Sequence, residues 1–230
     1  MSKTAIIDAV RRLDLDATKQ LLAKKPGLLA VTDREGRNLL HLACSASPDR
    51  LGVPNATQIP VARFLLDRDF EIDLPVGRDR CTALFFAVAR ARNPSLVKFL
   101  IARGAKPTSA PGGGLFAAGW WDDVKNLELL LDAGAPIDVV VGVTPFLASW
   151  GWRKFAAAKF LASRGADVNY QDQKGWTALH HGIEKEYDPR LLEWLVRRGA
   201  SPDVADARGV TPRARASRKR DKRFLTALTT

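Results

Sequence analysis

One apolar segment that ends in Gly-Ala recurs four times along this chain at nearly constant intervals, and this recurrence restricts the fold more than any other feature. The four copies read LVKFLIARGAKP, NLELLLDAGAPI, AAKFLASRGADVN and LLEWLVRRGASPD. Their glycines are separated by 30, 31 and 34 residues and are Gly104, Gly134, Gly165 and Gly199. A fixed period of about 20 to 50 residues indicates a repeat architecture, in which each unit packs on its neighbours.

A second motif alternates with the first and begins at a residue type that suits a helix N-terminus. Its copies are NLLHLAC from Asn38, TALFFAV from Thr82, GGLFAAG from Gly113, TPFLASW from Thr144, TALHHGI from Thr177 and TPRARAS from Thr211. Thr and Asn side chains accept hydrogen bonds from the first helical turn, and Gly commonly follows the last turn. Each repeat is therefore predicted to contain two short helices.

Positions counted from the start of the second motif separate into an apolar column and a column of small residues. Two residues after the start stand Leu40, Leu84, Leu115, Phe146 and Leu179. Five residues after it stand Ala43, Ala87, Ala118, Ser149 and Gly182. Small residues let neighbouring helices approach closely, and the apolar face that one repeat cannot bury alone is buried by stacking.

These motifs resemble those of the ankyrin repeat family. The resemblance rests on TALH at 177–180, NLLH at 38–41, TPF at 144–146, the Gly-Ala pairs and GADVN at 165–169. It covers nearly the whole chain and implies an all-α solenoid of stacked helix–turn–helix units joined by short hairpin loops.

The resemblance implies a single ankyrin-repeat domain over residues 1–230. About five full repeats are expected within 34–206, after N-terminal capping helices in 1–33. A surplus of turn-forming residues near 46–58 predicts an inserted loop, either neutral or in contact with a partner. Residues 207–230 are expected to form a basic C-terminal capping helix.

Composition restricts the compartment and the chemistry. Hydrophobic residues make up 46% and charged residues 27%, as in folded proteins, and no apolar run approaches the ~20 residues that span a bilayer. The first residues become charged too soon for a secretory signal. Cys44 and Cys81 form neither a disulfide framework nor a metal pattern. We expect a cytoplasmic protein with no cofactor, no metal, no membrane contact and no small-molecule substrate.

The resemblance also implies partner binding on a concave face lined by the first helix and the hairpin of each repeat. Four residues after the motif start stand Leu42, Phe86, Ala117, Ala148 and His181. Eight residues after it stand Ala46, Arg90, Trp121, Trp152 and Lys185. Positions four apart share one helix face, so both columns are expected on the concave face.

Tryptophans dominate this expected face. Trp120 and Trp121 are neighbours that point about 100° apart on a helix, so one core stripe cannot easily hold both. We expect an aromatic patch of Trp121 and Trp152 on adjacent repeats, with Trp120 and Trp176 nearby. The expected partner-binding residues are Trp120, Trp121, Trp152, Trp176, Phe86, Arg90, Lys185 and His181.

Basic residues flank the expected aromatic patch, namely Arg90, Arg92, Lys154 and Lys185. They suggest a protein partner with acidic character around an apolar element. The alternative is intramolecular, because the hairpins before Gly113 and Thr144 are shorter than later ones and could collapse onto the tryptophans. Trp150 and Trp194 fall at positions that pack between helices, and we expect them to be structural.

The sequence contains no recognisable pattern of residues for catalysis or metal binding. His41 and His180 occupy the family's Thr-Pro-Leu-His slot, where the imidazole serves local hydrogen bonding. Cys44 follows His41 without further ligands, and the GGG at 112–114 lacks the Lys-Ser/Thr of a phosphate loop. Glu184, Glu186 and Asp188 have no positioned base or nucleophile, so we expect no enzyme.

The leading function is therefore a non-catalytic module that binds a protein as adaptor, inhibitor or chaperone. The net charge is +11, and the segment RARASRKRDKR contributes +6 of it. The alternative function is electrostatic binding of nucleic acid or another acidic surface through Arg218, Lys219, Arg220 and Arg223. A bacterial immunity or effector role is a third interpretation, which the basic charge fits poorly.

Overall fold

The predicted helices are present in the computed structural model, which describes residues 2–54, 57–110 and 113–229. Within those ranges the α-helices are α1 Lys3–Arg11, α2 Leu15–Lys24, α3 Leu39–Ser45, α4 Pro48–Leu51, α5 Gln58–Leu66, α6 Ala83–Phe86, α7 Pro94–Ala102, α8 Gly113–Trp120, α9 Val124–Asp132, α10 Pro145–Gly151, α11 Phe155–Ser163, α12 Ala178–Glu184, α13 Pro189–Arg197, α14 Pro212–Ser217 and α15 Arg223–Thr226. A π-helix follows α6 at Ala87–Ala91, and short 3-10 helices lie at Pro26–Ala30 and Pro107–Ser109. The all-α prediction is confirmed.

Hairpins between the helix pairs contain little extended structure. In the described ranges it consists of three isolated antiparallel bridges, Thr32 to Asn38, Val76 to Cys81 and Val141 to Val143. No helix in these ranges is long and apolar enough to cross a membrane.

The residues predicted to begin and end the helices do so. Side-chain oxygens accept a hydrogen bond from the backbone N–H three residues later at the N-caps Asn38 (3.0 Å), Thr82 (3.3 Å), Thr144 (3.3 Å) and Thr211 (3.1 Å). After the second helices, the backbone turns through left-handed glycines with φ of 95°, 88°, 93° and 91° at Gly104, Gly134, Gly165 and Gly199. Only glycine adopts this conformation without a steric cost.

Backbone packing divides the chain into two compact units. The first comprises the residues up to Ala118 together with Lys125–Pro136, and the second comprises Gly119–Val124 with the residues from Ile137 onward.

In the first unit, α1 packs on α2 and α3, and α3 packs on α5 and α6. Members of the apolar column are buried here, with Leu40 and Leu84 at most 3% exposed, and the small column is closed to solvent at Ala43 and Ala87. His41 joins this packing to the next hairpin, since its Nδ1 accepts the Asn38 N–H and its Nε2 lies 2.9 Å from the Leu74 carbonyl oxygen.

The insertion near 46–58 is not wholly a loop. It contains the short helix α4, and its last residue, Gln58, belongs to α5. The buried Gln58 amide donates to the carbonyl oxygens of Ala43 and Ala46 and accepts from Asn93 at 2.8 Å. Buried polar groups require such partners, and this one ties the insertion to the helices on either side. Residues 55 and 56 lie outside the described ranges.

In the second unit, α10 packs on α11 and α12, and α12 packs on α13 and α14. Trp150 is fully buried, and its indole N–H donates to the Ala178 carbonyl oxygen at 2.8 Å. Its ring contacts Phe155 and Tyr187, and the Tyr187 hydroxyl returns a hydrogen bond to the Trp150 carbonyl oxygen at 3.0 Å. Trp150 therefore packs between helices, as predicted from the sequence.

The C-terminal basic segment does not form the single helix that the sequence predicts. It divides into α14 and α15, separated by residues 218–222 in turn conformation. In a continuous helix, basic side chains three or four residues apart, such as Arg215 and Lys219, would repel one another. The turn also lets Phe224 and Leu228 become buried.

Candidate protein-binding surface

Exposed apolar side chains are concentrated in one short part of the chain. Among the described residues, six large apolar side chains are exposed, and all except Leu51 belong to the second unit. These five are Trp120 (50%), Trp121 (46%), Val140 (56%), Val141 (53%) and Trp152 (38%). We call Trp120, Trp121 and Trp152 the tryptophan cluster. A concentration of large apolar groups at the surface of a folded protein marks an interaction site more often than isolated ones do.

Helix ends determine where the tryptophan cluster lies. Trp120 is the last residue of α8, and Trp152 follows the last residue of α10. Just before Trp120, Gly119 lies so close to Ser149 that a Cβ on the glycine would collide with the serine hydroxyl. This close approach brings the Trp120 and Trp152 rings into edge-to-face contact, with centroids 5.1 Å apart and planes at 79°.

The turn after Trp121 is fixed by a left-handed residue that is not glycine. Asp122 has a φ of 58°, and its carboxylate accepts the backbone N–H of Ala157 in α11 at 2.7 Å. The hydrogen bond compensates for an unfavourable backbone conformation, which costs a residue with a Cβ about 1 kcal/mol or more. Asp122 therefore has a structural role.

Two cations beside Trp152 are held by helix carbonyl groups. The Lys185 ammonium donates to the Gly151 carbonyl oxygen at 2.7 Å, and the Arg153 Nη2 donates to the Lys185 carbonyl oxygen at 3.1 Å. The Arg153 guanidinium also lies over the Tyr187 ring, 4.8 Å from its centroid. We call Arg153 and Lys185 the cation pair; Lys185 was predicted from the sequence as a binding residue and Arg153 was not.

Trp176 does not belong with the exposed tryptophans. It is half-buried, its ring contacts His180 and His181, and the Arg215 guanidinium lies 4.6 Å from the ring centroid. Arg215 from the segment that follows covers the Trp176 ring, and a role of Trp176 in partner binding stays a prediction. Arg215 is itself held by ion pairs with Glu184 and Asp206 at 3.0 and 2.9 Å.

His181 is engaged within the fold rather than presented to solvent. Its Nε2 lies 2.8 Å from the Asp172 carboxylate. Burial lowers the pKa of His181, and the Asp172 carboxylate only partly opposes that effect. Burial also favours the neutral form of Asp172, but hydrogen bonds from the Trp176 N–H and His181 prevail and lower its pKa.

The two selected residues of the first unit differ in exposure. Phe86 is 7% exposed and packs against His41 and Phe85, so its expected place on a binding surface is wrong. Its column position points inward here because the ring completes the packing around the histidine. Arg90 lies in the π-helix and is exposed, and its role in binding stays a prediction.

Val140 and Val141 are the apolar residues that the sequence analysis missed. They precede Gly142 in a tight turn closed by the bridge between Val141 and Val143. The available signal was the sequence DVVVG, in which apolar residues replace the polar hairpin found in NYQDQKG. Hairpin tips are normally polar, so consecutive exposed valines have no structural explanation.

Several cations of the C-terminal segment are paired with acids. Lys219 contacts Glu186 at 3.0 Å and Arg223 contacts Asp221 at 2.7 Å, while Arg218 and Arg220 are exposed. The Asp221 carboxylate raises the pKa of Arg223. Pairing of this kind reduces the positive potential that an electrostatic binding site requires.

The remaining candidates for chemistry have structural partners. His180 repeats the arrangement of His41, with Nδ1 accepting the Thr177 N–H and Nε2 at 3.0 Å from the Val210 carbonyl oxygen. Burial raises the pKa of the Cys44 thiol to about 12, which leaves it unreactive at neutral pH. No cluster of metal-ligating side chains occurs among the described residues.

Capped helix pairs that alternate with short hairpins define a helical repeat protein. Sequence models of the ankyrin repeats match this chain at residues 6–110 and 145–196. The chain therefore belongs to the ankyrin repeat family, whose repeats generally serve as protein–protein interaction modules.

Curated relatives of the chain differ in length and in description. L-asparaginase of Dirofilaria immitis is 31% identical over 184 residues, and the match covers 80% of this chain but only 24% of that protein. The probable 26S proteasome regulatory subunit p28 of Saccharomyces cerevisiae is 24% identical, and the match covers 98% of both chains.

Solved structures show the same fold. The ankyrin repeat domain of Bcl-3 matches with a TM-score of 0.80 at 24% identity and covers 98% of both chains. The human ASB11 ankyrin repeat domain matches with a TM-score of 0.73 at 21% identity, covering 97% of this chain and 96% of that one.

Proposed function

We propose that this protein is a non-catalytic interaction module that binds a protein partner through the tryptophan cluster of its second unit. The observation that carries the proposal is the exposure of three neighbouring indoles, each at least 38% accessible. A tryptophan offers roughly 150–250 Å² of surface for burial, and tryptophan is enriched among residues that dominate binding energy.

The edge-to-face contact between Trp120 and Trp152 also supports a binding role, because it orders both side chains. Each ring restricts the rotamers of the other, so binding costs less side-chain entropy than it would for isolated indoles. Val140 and Val141 add apolar surface to the same unit. The tryptophan cluster provides the apolar centre that a protein–protein interface needs.

The comparisons support an adaptor, inhibitor or chaperone of the cytoplasm rather than an enzyme. The ankyrin repeat family generally supplies binding modules. The end-to-end likeness to a proteasome regulatory subunit favours a partner that is part of a larger assembly. The likeness to L-asparaginase covers a quarter of that protein and gives no reason to assign its activity here.

Electrostatic binding through the C-terminal segment is less well supported. Of its four candidate residues, Lys219 and Arg223 already contact carboxylates. An acidic surface would have to displace those contacts or rely on Arg218 and Arg220.

The test is affinity capture from the source cell lysate with the wild type and the double variant Trp120→Ala/Trp152→Ala. Leu51→Ala is the matched control, because Leu51 is an exposed apolar side chain of the first unit. Circular dichroism and a thermal melt establish that all three proteins fold. We expect a partner captured by the wild type and Leu51→Ala but not by the double variant. Equal capture by a folded double variant would overturn the proposal.

A further inference from the structure

The cation pair, Arg153 and Lys185, lies at the point where two first helices end. Arg153 follows Trp152 directly after α10, and Lys185 follows the last residue of α12. Each uses one donor on a main-chain carbonyl oxygen, which leaves further donors on the guanidinium and ammonium groups. These contacts restrict both long side chains beside the tryptophan cluster.

The cation pair lacks a negatively charged partner within the described part of the chain, where neither member forms an ion pair. Helix C-terminal carbonyl groups together carry only about half a negative charge, so they hold the cations without neutralising them. The neighbouring acids are already engaged, Glu184 with Arg215 and Glu186 with Lys219. A positive charge therefore remains next to an exposed apolar surface.

From this arrangement we infer that the cation pair receives a carboxylate of the protein partner, from an Asp or Glu close to the apolar residue that packs on Trp120 and Trp152. The inference rests on the proposed function and adds the chemistry that the partner must have. Charge-assisted hydrogen bonds from Arg or Lys to a carboxylate are among the stronger contacts at interfaces, and restricted donors form them at lower entropic cost.

Chain geometry limits how far apart the partner's two groups are. Trp152 and Arg153 are adjacent, so the apolar and cationic contacts arise from Cα atoms about 3.8 Å apart. A partner segment meets two contacts this close to each other with side chains on one helix face or one strand face, within about four residues. The partner motif is therefore an aromatic or branched apolar residue with an acid within four positions.

Selection from a displayed library of random dodecapeptides tests this motif directly and does not require the partner to be identified. The full chain is used as wild type, as Arg153→Met/Lys185→Met and as Trp120→Ala/Trp152→Ala. The matched control is Lys159→Met/Arg198→Met, which removes the same charge from two cations that lie 5.6 Å from the Trp194 ring. Lys185→Met alone serves if the double cation variant fails to fold, since Lys185 is exposed.

We expect peptides selected on the wild type and on the control to carry Asp or Glu within four positions of an apolar anchor. On Arg153→Met/Lys185→Met the anchor should persist while the acid enrichment disappears. The affinity of the best peptide should fall about tenfold and lose its salt dependence.

Two results would count against the inference in different ways. Apolar peptides without enriched acids, or acid enrichment that persists on the cation variant, would overturn the carboxylate contact and leave the proposed function standing. A wild-type selection with no enrichment, or one unchanged by Trp120→Ala/Trp152→Ala, would overturn the proposed function and the inference with it.

Discussion

Gly119 lies against Ser149 with no room for a side chain between them, because a Cβ on Gly119 would collide with the serine Oγ. That hydroxyl donates to the Pro145 carbonyl oxygen at 2.8 Å and cannot move without breaking the bond. The contact between Gly119 and Ser149 determines how close Trp120 comes to Trp152.

Gly119→Ala should therefore destabilise the protein by about 1–3 kcal/mol, as expected for overpacking at a buried helix contact. Gly151→Ala is the control, because its Cβ would meet only the flexible end of Lys185 at 3.9 Å. The control should be neutral or slightly stabilising, since Ala is the better helix former. Urea unfolding of both variants measures the difference, and equal stabilities would contradict the proposed steric role of Gly119.

Asp122 affects stability in two ways, through its hydrogen bond to the Ala157 N–H and through its strained left-handed backbone, and two variants separate these effects. Asp122→Ala loses the hydrogen bond to the Ala157 N–H and keeps the left-handed conformation, so we expect a loss of about 1–3 kcal/mol. Asp122→Gly loses the same bond but relieves the backbone strain, and should be about 1 kcal/mol more stable than the Ala variant. Chemical denaturation compares them, and an Ala variant as stable as the Gly variant would show that strain is absent.

Stability should fall as the pH drops below about 6.5, because burial lowers the pKa of His41, His180 and His181 in the folded protein. The unfolded chain takes up these protons first, so it binds more protons than the folded state in this range and stability rises with pH. The stability that the neutral histidines contribute is complete above pH 6.5 and is lost as the pH falls toward their lowered pKa values.

Urea midpoints at pH 7.5 and 5.0 measure this dependence. The carboxylates whose pKa is lowered titrate below 3.8 and contribute little in this window. His180→Gln should reduce the difference between the two midpoints, since one of the three groups is removed. Identical wild-type midpoints at both pH values would contradict the assignment of buried neutral histidines.

The double variant Val140→Ser/Val141→Ser tests whether the apolar surface extends to the hairpin. Both side chains are more than half exposed, so the free energy of unfolding should change by less than about 0.5 kcal/mol. Binding of a partner captured through the tryptophan cluster should weaken several-fold. Unchanged affinity, measured by calorimetry, would confine the interface to the tryptophans.

Sequence periodicity predicts much of this fold because the governing interactions are local or repeated. The N-caps at Asn38 and Thr144 and the left-handed Gly104 depend on nearby backbone atoms, and the structure confirms them. The buried column that includes Leu40 and Phe146 follows from stacking of equivalent positions.

The candidate site was less predictable because exposure depends on the neighbours that cover each side chain. Trp176 occupies a hairpin position, yet Arg215 of a later helix covers its ring. Phe86 shares a column with the partly exposed His181 but is buried against His41. Counting positions placed Trp121 beside Trp152 but did not predict the edge-to-face contact between Trp120 and Trp152, because side-chain direction is not fixed by register alone.

The most direct measurement of the central claim is the dissociation constant of the captured partner for the wild type and for Trp120→Ala/Trp152→Ala. Each truncation at the centre of an interface costs about 2 kcal/mol or more, so we predict a loss of at least about 100-fold for the folded double variant. A dissociation constant within twofold of the wild-type value would show that the tryptophan cluster does not bind the partner.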